Sequence, residues 1–320
     1  MSHLARGTLI GVIGVLFWSF TAVFISRLTG YYQLPPLLLA FWRDLFASLG
    51  LLVGLIIARR RLPRLAREQI PFFLLYGLVL SSFNAVWTVS VPLNGAAAST
   101  VLVYGSLGFT VPLARWVFRE RVTFTKIIGV ILSLVGCALV ANAFDASAWN
   151  TRPLGIAVGL LSGLLFALYS LGGKESARRG LDSWETMFFT FGLASLFLLG
   201  LNLLTPASGA AGLARILPQL PPTGWLLLVG LALVPTLLGY GLYNLSMRYL
   251  PVTIANLIAT MEPAFTAAEA YLLLGETMSL VQAGGSLLII GAVVIVQAGE
   301  SAGQRAPAAL QVANHAQKGP

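Results

Sequence analysis

The stretch YNLSMRYLPVTIANLIATMEPAFTAAEAYLLLGETMSLVQAGG, residues Tyr243–Gly285, lies over WTVSVPLNGAAASTVLVYGSLGFTVPLARWVFRERVTFTKIIG, residues Trp87–Gly129, at a shift of 156 positions. Phe109 meets Phe265, Thr110 meets Thr266, Ala114 meets Ala270, Glu120 meets Glu276 and Gly129 meets Gly285. Each stretch holds an apolar run, a charged loop and the start of a second apolar run. Single identities are few, but they keep their order along the chain. Ala47-Ser48-Leu49 meets Ala194-Ser195-Leu196 at a shift of 147, and Gly7 and Gly11 meet Gly155 and Gly159 at a shift of 148. The chain therefore reads as two copies of one unit.

Composition says where such units live. Of 320 residues, 57% are hydrophobic and 10% charged, with mean hydropathy +0.85. Soluble domains carry about 25% charged residues, so a water-soluble globule and a disordered chain are both excluded. Hydropathy gives ten apolar runs at residues 7–28, 34–57, 70–92, 95–118, 124–143, 153–173, 183–204, 222–247, 252–274 and 280–298. Each is long enough to cross about 30 Å of hydrocarbon as a helix. Lipid offers backbone amides no partner, so the spans must be helical. The first run exceeds a signal-peptide core and lacks a clear small-residue cleavage site, and is read as retained.

Basic residues orient the spans. With the N-terminus in the cytoplasm, sixteen of the twenty Lys and Arg residues fall inside, three (Arg27, Arg152, Arg215) fall outside, and Arg43 lies within a span. The expectation is an all-α integral membrane protein of ten transmembrane helices, both termini cytoplasmic. Its organisation is a short cytoplasmic segment 1–6, a first five-helix repeat 7–143, an outside linker 144–152, a second repeat 153–298 and a disordered tail 299–320. An odd number of helices per unit makes the two repeats inverted. Inverted repeats characterise many secondary transporters, whose site sits near the midplane between the halves.

Residues 257–296, through Met261-Glu262-Pro263, Leu274-Gly275-Glu276, Gly285 and Gly291, resemble the second repeat of the EamA family of the drug/metabolite transporter superfamily. The first repeat is similar through Trp18, Arg43 and Arg119-Glu120-Arg121, although Arg119 stands where the second repeat has Gly275. The resemblance covers residues 7–298. It implies a ten-helix carrier, commonly an exporter of amino acids, metabolites or amphipathic toxic compounds, and it leaves the substrate open.

Charge inside the spans is the sharpest local signal. Arg43, Asp44, Glu262 and Glu269 each cost about 2.5–3.5 kcal/mol at a helix centre and must face protein or water. The repeat partners of Glu262 and Glu269 are Ser106 and Leu113, so the carboxylates belong to one half only. Glu262 reads as a counter-ion for a substrate amine or as a proton carrier, against a structural carboxylate before Pro263. Glu269 reads as a coupling or gating residue, against a carboxylate exposed in an outward vestibule. Arg43 and Asp44 point about 100° apart on a helix and do not simply neutralise each other. Arg43 is expected in an interhelical salt bridge or on a substrate carboxylate, which a guanidinium grips in bidentate fashion, and Arg43 and Asp44 are grouped with Glu269 as coupling or gating residues.

A second layer is polar and aromatic. Asn84 and Thr88 share a helix face, and their repeat partners are Tyr240 and Asn244. Trp87 matches Tyr243, while Trp18, Tyr104 and Tyr169 fall inside spans, away from the interfaces. These residues suit an aromatic pocket with a few aimed polar groups, or simple packing. Glu120, Glu276 and a Ser279–Gln282 capping box read as structural. Gly129, Gly136, Gly284, Gly285 and Gly291 suit close helix packing, and Pro112, Pro235 and Pro263 suit helix breaks near a cavity.

Other classes fall away. Cys137 is the single cysteine, and His3 and His315 lie in the tails. No metal site, catalytic residue or cofactor is expected, and the chain carries no P-loop or nucleophile elbow. It reads as no enzyme; acid–base use of Glu262 and Glu269 in the membrane is the remote alternative. The expected function is export of small amphipathic metabolites, amino acids or amines among them, by alternating access. Transport of nucleotide sugars or lipid-linked sugars is the alternative. Expected partners are a small-molecule substrate, protons if transport is coupled, and anionic lipid headgroups at Arg59–Arg67. No nucleic acid is expected, and self-association into a homo-oligomer stays open. Short loops suit a bacterial inner membrane.

Overall fold

The computed structural model describes residues 3–59, 63–94, 96–143, 153–204, 216–274 and 278–316. They form helices α1 (His3–Ser19), α2 (Thr21–Ser26), α3 (Pro36–Arg59), α4 (Ile70–Asn94), α5 (Ala96–Tyr104), α6 (Ser106–Phe118), α7 (Phe124–Val140), α8 (Pro153–Arg178), α9 (Ser183–Leu204), α10 (Pro222–Leu231), α11 (Gly241–Ser246), α12 (Val252–Ala259), α13 (Glu262–Leu274) and α14 (Leu280–Ala316). A π-helical turn, Arg27–Tyr31, extends α2, and a longer one, Ala232–Tyr240, joins α10 to α11. Among the described residues there is no strand. Eight helical stretches are long and apolar enough to cross a membrane. The chain is a multi-pass membrane protein.

Four of the expected spans are interrupted, and local chemistry accounts for two of the breaks. Pro263 is the second residue of α13, and its missing N–H leaves the Ala259 carbonyl unserved, so α12 stops and α13 starts afresh. Pro235 cannot donate to Leu231; the Thr236 hydroxyl takes that carbonyl instead at 2.9 Å, inside the π-helical turn. Pro112 behaves otherwise than expected. It sits inside an unbroken α6, and the interruption falls earlier, at Gly105. The α-helical pattern is also interrupted at Phe20, between α1 and α2, with neither Pro nor Gly present.

The two ends of the bundle are fixed by contacts between helix termini. At one end Tyr32 bonds Thr223 at 3.0 Å, Asn94 donates to Gly155 at 2.8 Å and Gln282 reaches Val140 at 3.4 Å. We term this the first end. At the second end Arg59 pairs with Asp182 at 2.7 Å and Glu185 at 2.6 Å, and Lys126 pairs with Glu300 at 3.3 Å. Helices α3 and α9, α4 and α8, and α7 and α14 pack pairwise along their lengths. The α7–α14 seam is glycine-dependent: a Cβ on Gly136 would lie 2.8 Å from the Gly285 carbonyl oxygen, and one on Gly285 would lie 2.8 Å from the Gly136 oxygen. Gly284 and Gly291, expected in the same role, face open space.

Helix α14 departs from the expected disordered tail. It continues past the apolar run to Ala316. Ala and Gln are good helix formers, and extending an existing helix avoids the cost of nucleation. The expected Ser279–Gln282 capping box is present, with reciprocal bonds of 2.9 and 3.2 Å. Glu276 lies outside the described residues. Its repeat partner Glu120 caps α12 instead, accepting from the Val252 N–H at 2.7 Å and the Thr253 hydroxyl at 2.9 Å.

Candidate functional site

Among helices that run from Trp18 to Asn142 and from Phe166 to Gln282 lies a cavity of about 880 Å³. It reaches the first end at Thr29, Pro36, Asn142 and Gln282 and runs inward to Phe166, Tyr240 and Glu262. Its volume falls in the range of small-molecule sites, about 300–1,000 Å³. The helix breaks deliver its inner wall. Tyr104 is the last residue of α5, Glu262 the first of α13, and Tyr240 the last of the π-helical turn.

Glu262 stands at the start of α13, where free backbone N–H groups favour a carboxylate. The Tyr104 hydroxyl donates to its Oε2. Trp18 forms a second wall. Its ring centroid lies 4.4 Å from that of Tyr240 and 5.6 Å from that of Phe166. Trp87 and Thr88 line the cavity half-buried, and Asn84 is buried at its edge.

Arg43 lines the cavity from α3 at 5% exposure, and its Nη2 is buried without a hydrogen-bond partner. Its Nε donates to Oδ1 of Asp44 at 3.1 Å, so the adjacent residues do pair, against the expectation from helix geometry. The guanidinium sits on a long stem that folds back along its own helix. The bridge is therefore within α3, not between helices. Asp44 lies behind the arginine, and its other oxygen accepts from Asn84 Nδ2 at 2.7 Å, tying α3 to α4.

Of the expected pocket residues, Glu262, Asn84, Trp87, Tyr104, Tyr240, Trp18 and Arg43 come together on the cavity wall. Tyr243, Asn244 and Tyr169 do not. They form a buried layer beyond its floor, toward the second end. Asn244 donates to Tyr169 at 2.7 Å and accepts from Tyr76 at 3.2 Å; the Tyr76 and Tyr169 rings stack at 5.2 Å. Tyr243 meets Ser170 at 2.9 Å, and Asn256 links Ser170 to Thr110. The sequence places these groups at the right depth on their helices. Only the packing of α4, α8 and α11 turns them inward against one another. Glu269 is neither on the cavity wall nor in an exposed vestibule: it is 7% exposed, and one carboxyl oxygen lies 2.5 Å from the Ser19 hydroxyl.

Beneath this layer the second end is held by polar ties. Lys174 donates to the Met247 and Leu250 carbonyls at 2.9 and 2.6 Å, where α11 ends. Asp182 precedes α9 and accepts from the backbone N–H of Trp184 and Glu185 at 2.9 and 3.1 Å. Burial alone would raise its carboxyl, but those N–H groups and the Arg59 guanidinium hold it below the usual carboxylate range. Arg59, expected to meet lipid headgroups, is thus engaged with protein; Arg64 and Arg67 are exposed, and Arg60 and Arg61 lie outside the described residues.

Several cavity residues escaped the sequence reading: Phe83, Phe166, Thr21, Thr266 and Gln282. Phenylalanine carries no positional signal in an apolar span, and lone threonines are common in membrane helices. Thr266 matches Thr110 in the repeat, the one hint available.

The model of the EamA-like transporter family matches residues 5–142 and 153–297. A probable amino-acid metabolite efflux pump of Salmonella typhimurium is 26% identical over 300 residues, covering 89% of this chain and 93% of the relative. The threonine/homoserine exporter RhtA of Escherichia coli K12 is 28% identical over 258 residues, 79% of each chain. An uncharacterized transporter of Archaeoglobus fulgidus is 28% identical over 223 residues, 69% of this chain and 75% of the relative. A crystal structure at 19% identity superimposes with a TM-score of 0.74 over 91% of this chain and 96% of the other, a likeness of fold.

Proposed function

This chain belongs to the EamA-like transporter family, and from that premise we propose that it is a secondary carrier exporting small amphipathic metabolites, amino acids or amines, by alternating access. The observation that carries the reading is the cavity itself: one buried wall holds a carboxylate and another a guanidinium with an unpartnered amine, with aromatic rings between them. Glu262 would take a substrate ammonium, Arg43 a substrate carboxylate, and the rings the apolar part. That donor set suits an amino acid or amine. The relatives named as efflux pump and exporter point the same way.

In this reading ten helices form two inverted five-helix repeats, residues 7–143 and 153–298, with both termini cytoplasmic in a bacterial inner membrane. Helix bounds favour the repeat: shifting α6 (Ser106–Phe118) by 156 residues lands on α13 (Glu262–Leu274), and the start of α7 lands on the start of α14. Gln297 of α14 bonds Thr8 of α1, which favours termini on one side. The cavity is open to the first end, taken as the outside, and the Tyr76–Asn244–Tyr169 layer closes the other side. Transport would require that layer to part while the first end closes.

The test is a thermal-shift screen of the purified protein against amino acids, the corresponding amines and nucleotide sugars, since a ligand that binds only the folded state stabilises it. Selective stabilisation by amino acids or amines, lost in Glu262→Gln, is the expected result. Stabilisation by nucleotide sugars alone would overturn the substrate class.

A further inference from the structure

Seven residues beyond Glu262 on α13, about 10 Å along the helix, Glu269 makes an arrangement that substrate binding does not use. It does not line the cavity, and no cation pairs with it among the described residues. Its Oε2 is buried without a hydrogen-bond partner. Its Oε1 lies 2.5 Å from the Ser19 hydroxyl, and that same hydroxyl lies 2.6 Å from the Leu16 carbonyl oxygen. Ser19 is fully buried at the last position of α1, next to the interruption at Phe20. The Thr266 hydroxyl donates to the Ser19 carbonyl at 3.3 Å, and Thr266 and Thr21 both line the cavity.

Counting protons decides what this site holds. Two short O···O contacts meet at Ser19 Oγ, and a hydroxyl has one hydrogen. A carbonyl can only accept. A carboxyl O–H on Glu269 gives each contact its own hydrogen, where otherwise one hydroxyl hydrogen would be shared between two acceptors. We infer that Glu269 is a proton-binding site, separate from the substrate cavity, whose protonation state is relayed through Ser19 to the junction between α1 and α2. In the protonated state the carboxyl O–H donates to Ser19 Oγ, and the Ser19 hydrogen goes to Leu16 O. When the proton is released to solvent, the electron pair stays on the carboxylate. The Ser19 hydrogen then turns to Oε1, and Leu16 O loses its side-chain partner near the end of α1. A bare carboxylate here would be an uncompensated buried charge.

The charged and titratable groups of the elements packed on α13 leave this role to Glu269. On α1 and α2 they are His3 and Arg6, at the second end, where both lie against Tyr249; on α7, Lys126, paired with Glu300 of α14, and Cys137, which donates to Thr260; on α14, besides Glu300, Arg305 and His315, well beyond the apolar run; on α13 itself, Glu262, bonded by Tyr104, and Tyr271, exposed. The inference stands beside the transport reading and does not need its substrate.

Infrared difference spectra of the full-length protein in liposomes, stepped from acid to alkaline buffer, test it. Wild type should lose a protonated-carboxyl C=O band as pH rises. The band should be absent in Glu269→Gln, retained in Glu262→Gln and displaced in Ser19→Ala, which cuts the relay but keeps the acid. If Glu269→Gln does not fold, Glu269→Asp should shift the band. A band unchanged in Glu269→Gln or Glu269→Asp, no pH-sensitive band at all, or a band that answers to Na⁺ and not to pH would overturn the assignment.

Discussion

Asn84 of α4 donates to Asp44 of α3 at 2.7 Å, completing the carboxylate whose other oxygen holds Arg43 at the cavity wall. Asp44 is fully buried. The aspartate sets the guanidinium's direction and balances its charge while leaving Nη2 without a hydrogen-bond partner. Substituting Asp44→Asn leaves a buried guanidinium uncompensated, a loss of about 3–5 kcal/mol. Thermal unfolding in detergent should show Asp44→Asn among the most destabilised single variants. Asn84→Ala should fall less, by about 1.5–3 kcal/mol, because it removes one hydrogen bond to a charged group.

Glu262 and Tyr104 separate charge from orientation. Glu262→Gln removes the charge offered to a substrate ammonium and should abolish or strongly impair transport with membrane abundance near normal. Tyr104→Phe removes only the hydroxyl that aims the carboxylate, so transport should be reduced and not lost. Uptake and expression measured side by side check the pair; wild-type rates in Glu262→Gln would remove it from the mechanism.

The second end carries a pH-dependent tie. Because Asp182 is held below its ordinary carboxylate range, its contribution is complete above that range and disappears as pH falls through the lowered value. Stability should therefore be insensitive to this group from neutral pH down to about 5. Asp182→Asn should be less stable than wild type at neutral pH and converge with it in strong acid. Unfolding temperatures across pH for the two proteins check the sign.

The α7–α14 seam makes opposite predictions for two glycines. Gly136→Val drives atoms into the Gly285 carbonyl and the Ile289 side chain, an overpacking cost of about 1–3 kcal/mol. Gly284→Ala meets nothing within 4 Å and should be neutral or stabilising by up to about 1 kcal/mol. Thermal stability of the two variants decides whether the seam is packed as described.

How much was legible beforehand varies with the kind of signal. Hydropathy alone located each apolar run, and most runs begin and end within a few residues of the helices found. Cavity residues were legible where they were charged, as with Arg43 and Glu262, or aromatic deep inside a span, as with Trp18 and Tyr104. Phe83 and Phe166 were not, since an apolar side chain in an apolar span carries no mark of which neighbour it faces. The Arg43–Asp44 pair was misjudged because helical spacing describes Cβ directions, and a guanidinium acts several bonds further out.

The sequence by itself determined that this chain lives in lipid as helices, because 57% hydrophobic residues in runs of that length leave the backbone no other way to satisfy its amides. It also determined which few charges would have to be explained. Only the tertiary structure decided that Tyr169, Tyr243 and Asn244 form a layer beyond the cavity and that Glu269 answers to Ser19, 250 residues away. Those outcomes depend on the rotation of each helix about its axis, which is set by packing against partners distant in the chain.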